Sequence, residues 1–200
     1  LVLNKDVYDM QPGEALQLIN FEPSTEGGYR RLNGTTKYNS TIVPQVALAN
    51  ERIQMSAIFN DKIIVARGGT VSYGGTSGSW TSLATSKGAT YTYDFDKFNF
   101  SGTSKIIIAT GEAAAFTVNT SFAVDVINAT GGGTAPTNPK FVKTFANHVF
   151  YGGMSNSTHS ILFSVPFSED NFTSASGAGE IKVGDVVTGL KVFRDELFIF

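Results

Sequence analysis

Ile58-Phe59-Asn60-Asp61-Lys62-Ile63-Ile64-Val65-Ala66 is the first copy of a phrase that the chain repeats. In each copy an apolar stretch ends in Phe, a polar turn follows, and a short apolar strand leaves the turn. Further copies occupy residues 98–109, 145–151 and 192–200. The strand-opening positions are 62, 105, 148 and 196, so the copies are 43, 43 and 48 residues apart. A period of about 40–50 residues built on strands is typical of β-propeller blades.

The repeat therefore predicts an all-β fold of four-stranded antiparallel blades, arranged as a propeller that this chain does not complete. We expect an N-terminal hairpin arm at residues 1–40 and a partial propeller at 41–200. The blades are predicted at about 41–89, 90–139 and 140–185, with the start of another at 186–200. A β-sandwich is the alternative, because sandwiches also contain many short strands at regular spacing. They do not usually repeat one phrase at a long period, which favours the propeller.

Local signals add finer expectations. Asn33-Gly34 predicts a tight hairpin turn in the arm, since both residues tolerate positive φ. Tyr91, Tyr93 and Phe95 stand at odd positions and alternate with polar residues, whereas Phe98 and Phe100 stand at even positions, which face the other side of a regular strand. We therefore expect a bulge near Asp96-Lys97. The glycine-rich residues 131–139 are predicted to be a linker between blades, flexible at its glycines and stiffer at its prolines. Residues 168–172 are predicted to form a helical turn capped by Ser168.

Composition limits the function classes. A hydrophobic share of 42% with 16 Phe fits a folded core, and a net charge of −2 gives no global electrostatic case for binding nucleic acid or an anionic membrane. The chain has no Cys, which excludes disulfides, thiolate metal sites and a Cys nucleophile. Its apolar runs are too short to span a membrane. Since the chain lacks an initial Met and stops within a predicted strand, we expect a piece of a longer protein.

No catalytic constellation stands out. His148 and His159 lack a second metal ligand at a fixed spacing. Asp94 and Asp96 face the same side of a predicted strand, and paired carboxylates can perform glycoside hydrolysis, but such alternation is also usual on a solvated strand face. We therefore expect no catalytic residue, no metal site and no cofactor, with a hydrolase using these two aspartates as the weakest alternative.

Two groups of residues are candidates for binding. The arm carries a modest basic cluster with a neighbouring aromatic residue, which suits either a solvated hairpin or an assembly interface: Tyr29, Arg30, Arg31 and Lys37. The predicted blades carry aromatic side chains that would suit stacking against a glycan: Tyr73, Trp80, Tyr91 and Tyr93. A carbohydrate-binding propeller that contacts a host surface is thus a second hypothesis.

Two stretches resemble a known family. Residues 9–34 contain Asn20-Phe21-Glu22-Pro23, followed by Tyr29-Arg30-Arg31-Leu32-Asn33-Gly34. Residues 181–200 contain Gly184-Asp185-Val186-Val187-Thr188-Gly189-Leu190 and then Arg194-Asp195-Glu196-Leu197, shortly after Pro166-Phe167-Ser168-Glu169-Asp170-Asn171-Phe172. These phrases are similar to those of tail structural proteins of tailed bacteriophages, and in kind to the propeller-bearing nozzle or hub proteins of short-tailed phages.

The resemblance implies a non-enzymatic virion protein of the tail. Such a protein would form a ring of its own copies around the DNA channel and support retention and ejection of DNA. It would contact neighbouring tail proteins, such as an adaptor, fibres or spikes, and would let DNA pass without sequence recognition. The resemblance implies no membrane partner.

Overall fold

A computed structural model of the chain describes residues 9, 19–24, 27–32, 34, 36–44 and 52–200. The chain divides into two compact units, Leu1–Tyr38 and Asn39–Phe200. The described residues form sixteen strands, all paired antiparallel, and one short 3-10 turn at Ser174–Ser176. The prediction of an all-β fold is confirmed.

The first unit contains one short hairpin. Strand β1 (Phe21–Pro23) pairs with β2 (Tyr29–Arg31), and the N–H of Leu32 extends the pairing by donating to the carbonyl of Asn20 at 2.8 Å. This pairing differs from the predicted hairpin across Asn33-Gly34. Residues 29–31 pair with the preceding strand β1, and residues 36–37 do not belong to a strand. Asn33 itself lies outside the described residues.

The second unit contains three four-stranded sheets and a two-stranded one, each with its strands in sequence order. The first sheet holds β3 (Ile53–Phe59), β4 (Lys62–Arg67), β5 (Thr70–Gly74) and β6 (Thr81–Ala84). The second holds β7 (Asp94–Phe100), β8 (Thr103–Ala109), β9 (Phe116–Asn119) and β10 (Val124–Val126). The third holds β11 (Phe141–Phe145), β12 (His148–Met154), β13 (Ser157–Phe163) and β14 (Gly179–Lys182), and the fourth β15 (Leu190–Phe193) and β16 (Glu196–Ile199). These four-stranded sheets fit the blades that the period predicts.

The repeated phrase is the first hairpin of each sheet. In every copy a Phe pairs with the residue three positions later, and the two residues between them have positive φ: Asn60-Asp61, Ser101-Gly102, Ala146-Asn147 and Arg194-Asp195. Two residues with positive φ are the mark of a type I′ turn, whose twist matches that of the strands it joins. In the second copy the returning strand begins at Thr103, two residues earlier than the predicted start at Lys105.

Neighbouring sheets pack face to face through alternate side chains. On β8, Ile106 and Ile108 pack with the first sheet, whereas Ile107 and Ala109 pack with the third. The same alternation on β12 directs Tyr151 toward the second sheet and Phe150 toward the fourth. Since successive side chains of a strand point to opposite faces, a continuous apolar run fits a sheet covered on both sides.

The same double coverage explains why the expected bulge at Asp96-Lys97 is absent. Strand β7 pairs with β8 without any shift of register from residue 94 to residue 100. Phe95 packs toward the first sheet, and Phe98 and Phe100 pack toward the third. Aromatic residues at odd and at even positions are therefore partly or fully buried on opposite faces of a regular strand.

Candidate functional site: the contacts that join neighbouring sheets

Two aspartates connect the edge of the second sheet to the edge of the third. Strand β7 is an edge strand, and Asp94 accepts a hydrogen bond at Oδ1 from the N–H of the next residue, Phe95, at 2.9 Å. Its Oδ2 accepts from the N–H of Val142 on β11 at 3.0 Å. One carboxylate thus joins the open edges of two strands that belong to different sheets.

Asp96 repeats this arrangement two residues further along β7. Its Oδ1 accepts from the N–H of Lys97 at 2.9 Å, and its Oδ2 accepts from the N–H and the hydroxyl of Thr144 at 2.7 and 2.8 Å. We call Asp94 and Asp96, with the β11 groups that they bind, the carboxylate bridge. It satisfies edge N–H groups that would otherwise need water or another strand.

Lys143 completes the carboxylate bridge. Its ammonium donates to Asp94 Oδ1 at 2.6 Å and to the carbonyls of Phe95 and Val142 at 3.1 and 2.8 Å. The side chains of Lys143 and Asp94 are only 15% and 27% exposed. All three ammonium protons are used. Since each oxygen of Asp94 and Asp96 accepts from a backbone amide, the geometry suits attachment of strands, whereas glycoside hydrolysis needs carboxyl groups directed at a substrate.

A second set of contacts comes from the segment between β13 and β14. We call residues 164–173 the clasp, because they reach from the third sheet to the second. Glu169, 9% exposed, forms an ion pair with Lys105 of β8. The backbone carbonyl of Glu169 also accepts a hydrogen bond from the hydroxyl of the fully buried Tyr151 at 3.0 Å. Burial, assisted by Glu169 and Asp170, raises the pKa of Tyr151 well above its ordinary value.

Asp170 of the clasp holds the loop that follows the second sheet. Its Oδ1 accepts from the N–H groups of Asn128 and Ala129 at 2.7 and 2.6 Å. Its Oδ2 accepts from the N–H of Thr130 at 3.0 Å and from the hydroxyl of the same residue. The predicted helical turn at 168–172 does not form, because these carboxylate and backbone groups bind other segments instead.

The glycine-rich residues after this loop are packed against the clasp, which corrects the prediction of a flexible linker. The N–H of Gly131 donates to the carbonyl of Asp170 at 3.2 Å, and the N–H of Phe172 donates to the carbonyl of Gly132 at 2.8 Å. At Gly133, φ is +81° and an added Cβ would lie 2.2 Å from the carbonyl oxygen of Phe172. Glycine is required there for close approach of two backbones.

A buried amide joins the first sheet to the segment that leads into the second. The Gln54 side chain, 1% exposed, donates to the carbonyl of Gly88 at 2.9 Å and accepts from the N–H of Gly69 at 3.2 Å. The carbonyl of Gly88 also accepts from the hydroxyl of Tyr93 at 2.5 Å. Burial, with a smaller effect of Glu112, raises the pKa of Tyr93 well above its ordinary value.

The four predicted glycan-stacking residues are engaged with their own neighbours. The ring of Tyr73 stacks on Phe122 with centroids 4.0 Å apart. Trp80 donates from Nε1 to the carbonyl of Thr41 at 2.9 Å. The ammonium of Lys140 lies 4.4 Å from the ring centroid of Tyr91, and Tyr93 is only 4% exposed. Tyr93 therefore offers no face to a sugar, whereas Tyr91 is 39% exposed and has the Lys140 ammonium over its ring.

The predicted assembly residues of the arm all lie at its surface. Tyr29, Arg30 and Arg31 form β2, and Lys37 follows outside any strand. Arg30 Nε forms an exposed ion pair with Glu22 Oε1 at 2.6 Å across the hairpin. These side chains are accessible, and their role in assembly stays a prediction.

The two histidines have local partners. His148 Nδ1 lies 2.5 Å from the carbonyl oxygen of Ser164, and its ring packs edge-on against Phe163 at 5.4 Å. His159 Nδ1 lies 3.0 Å from the hydroxyl of Thr158. Within the described residues, no group of three or more His, Cys, Asp and Glu side chains could hold a metal ion.

The clasp is the feature that sequence reasoning did not identify as a site. Its acidic pair, Glu169-Asp170, was visible in the sequence. Its partners lie 40 to 64 residues earlier in the chain, and spacing does not reveal such pairs.

Comparison with known proteins adds no family to these observations. No model of a known protein family matches the chain, and a search of curated proteins finds no match. No helix within the described residues is long and apolar enough to cross a membrane.

Proposed function

We propose that this chain is part of a propeller-like structural protein that acts by assembly, as a nozzle or hub component of a bacteriophage tail. The observation that carries the proposal is that charged and polar side chains form the contacts between neighbouring sheets. The carboxylate bridge and the clasp join the second sheet to the third, and the buried Gln54 amide joins the first sheet to the segment that precedes the second. Contacts of this kind between sheets suit a component that bears load.

The propeller arrangement is supported by the order of the packing. The first strand of the third sheet, β11, contacts the first strands of both neighbouring sheets, β7 and β15. First strands that adjoin in succession are expected around the axis of a propeller, with later strands further out. In a two-sheet sandwich each sheet buries one face, whereas the second sheet here buries both.

A non-enzymatic role is supported by how the titratable groups are used. Asp94, Asp96, Glu169 and Asp170 each bind protein groups in a neighbouring segment. Large apolar side chains remain exposed on the outer sheets, for example Ile58 at 67% and Phe193 at 55%. Exposed apolar surface is usual where a protein meets partners.

Passage of DNA fits the charge of the chain. Strong binding to phosphates requires many Lys or Arg side chains, and the net charge here is −2. A ring of such subunits would allow DNA to move through without holding it. The carbohydrate-binding alternative has less support, because Tyr93 is buried and the ring of Tyr73 stacks on Phe122.

The proposal is tested by imaging the purified protein by electron microscopy and weighing the particles by mass photometry. We expect rings with a central channel and a lobe for each subunit. An Arg31→Glu variant should reduce the ring population if the arm forms the interface, while Lys182→Glu, an equal charge change on the exposed end of β14, should leave it unchanged. A monodisperse monomer at all concentrations would count against assembly.

A further inference from the structure

Strand β15 has an open edge with two unused N–H groups. Phe193 and Glu196 flank the type I′ turn, and the carbonyl of Gly189 accepts from the N–H of Phe200 at 3.0 Å. Residues 189, 191 and 193 therefore face β16, and alternation directs the N–H groups of Leu190 and Val192 to the opposite side. In the part of the chain that the structure describes, neither group has an acceptor.

The third sheet shows what binds N–H groups in this position. Val142 and Thr144 lie three and one residues before Phe145 of the same turn, as Leu190 and Val192 lie before Phe193. Both β11 groups donate to aspartate carboxylates of the preceding sheet.

The preceding strand supplies no such carboxylates to β15. Asp94 and Asp96 lie six and four residues before the turn phenylalanine of β7, and the corresponding residues near β11 are Pro139 and Phe141. The β15 edge thus has the donors of the carboxylate bridge without its acceptors.

A cleft of about 510 Å³ gives access to this edge. It is lined by Asp94, Phe95 and Asp96 of β7, by Lys143 of β11, and by Leu190, Lys191 and Val192 of β15. Lys143 is already committed to Asp94, and the oxygens of Asp94 and Asp96 already accept hydrogen bonds. Lys191 is exposed, and among the described residues no carboxylate pairs with it. The cleft therefore offers two N–H donors beside the ammonium of Lys191, while the two lysines and two aspartates of its lining give a formal charge of zero.

We propose that the open edge of β15 binds an extended acidic segment of a partner protein. Two carboxylates in an Asp-x-Asp arrangement accept from the N–H groups of Leu190 and Val192, and one of them pairs with Lys191. Alternate residues of an extended strand are about 6.6–6.8 Å apart, so the carboxylates match the spacing of N–H groups at positions i and i+2. Asp94 and Asp96 show the same match within this chain. The inference rests on the strand edge and does not depend on the proposed role in a phage tail.

The probe is the peptide acetyl-Asp-Thr-Asp-amide, titrated into the ¹⁵N-labelled chain and followed by NMR. We expect saturable shifts of the Leu190 and Val192 amide signals, with those of Val142 and Thr144 unchanged. The matched peptide acetyl-Asn-Thr-Asn-amide should bind at least about tenfold more weakly, because it lacks both charges.

Two variants locate the charge contribution. Lys191→Gln should weaken binding of the Asp peptide about twofold to fivefold, while Lys182→Gln on β14 should not change it. Equal affinity for the Asp and Asn peptides, an unaltered affinity in Lys191→Gln, or the absence of a saturable shift at Leu190 and Val192 would each overturn the proposal.

Discussion

Replacement of Asp170 by Asn tests the clasp directly. The carboxylate accepts four hydrogen bonds, from the N–H groups of Asn128, Ala129 and Thr130 and from the Thr130 hydroxyl. Asn retains one acceptor oxygen and places an NH₂ group against N–H donors, so about two of these bonds are lost. A hydrogen bond to a charged group contributes about 1.5–3 kcal/mol, and the partial exposure of the loop reduces the total. We expect a loss of about 3 kcal/mol in the free energy of unfolding.

The measurement is urea unfolding followed by the fluorescence of Trp80, the only Trp, together with circular dichroism. For a unit of this size, a loss of about 3 kcal/mol corresponds to a fall in Tm of about 6–12 °C. The control is Asp185→Asn, because Asp185 is exposed and, among the described residues, accepts only from the N–H of Val186 at 2.7 Å. Its effect should stay within about 0.5 kcal/mol. If Asp170→Asn costs less than about 1 kcal/mol, the clasp does not hold the sheets as argued.

Three further predictions follow from the packing, the burial and the turns. Gly133→Ala should cost at least about 2 kcal/mol in thermal or urea unfolding, because the new Cβ meets the backbone at a positive φ, whereas Gly184→Ala, with nothing within 4 Å, should be nearly neutral. Tyr93 and Tyr151 keep their protons in the fold because their pKa values are raised, while unfolded tyrosine ionises near pH 10. The stability that comes from this pKa difference is fully present below about pH 10 and is lost as the pH rises further. Absorbance at about 295 nm should therefore show these two residues ionising together with the loss of circular dichroism. Ionisation of either residue in a folded chain would contradict the raised pKa values. Ala146→Asn should raise stability by about 0.5–1 kcal/mol, because Ala146 has φ +47° in a type I′ turn that favours Asn, and an unchanged or lower Tm would argue against that turn.

The fold was predictable from the sequence where local chemistry decides it. The repeated Phe and polar turn predicted the first hairpin of each sheet, because a two-residue turn fixes the register of the strands that flank it. The start of β8 was predicted at Lys105, two residues after its observed start at Thr103, because Lys105 resembles the strand-opening residues of the other copies. Composition and period together predicted all-β, four-stranded sheets, which the structure confirms.

The contacts between sheets were less predictable. Asp94 and Asp96 were correctly placed on one side of a strand, but that side faces β11 and not solvent. The bulge expected near Asp96 assumed that only one face of β7 is buried, and neighbouring sheets cover both. Gly131 to Gly133 were predicted to be flexible, because composition does not show that the backbone of another segment packs against them. These errors share a cause, since each depends on a segment distant in sequence.

The most direct test of how the sheets are joined is native-state hydrogen exchange at four amides. If carboxylates bind the edge of β11, the N–H groups of Val142 and Thr144 should exchange only through an opening that costs about 5 kcal/mol or more. Val192, at the equivalent place on the open edge of β15, should exchange at nearly the rate of an unprotected amide, and Leu190 should exchange faster than Val142. Exchange of Val142 and Thr144 as rapid as that of Val192 would contradict the carboxylate bridge.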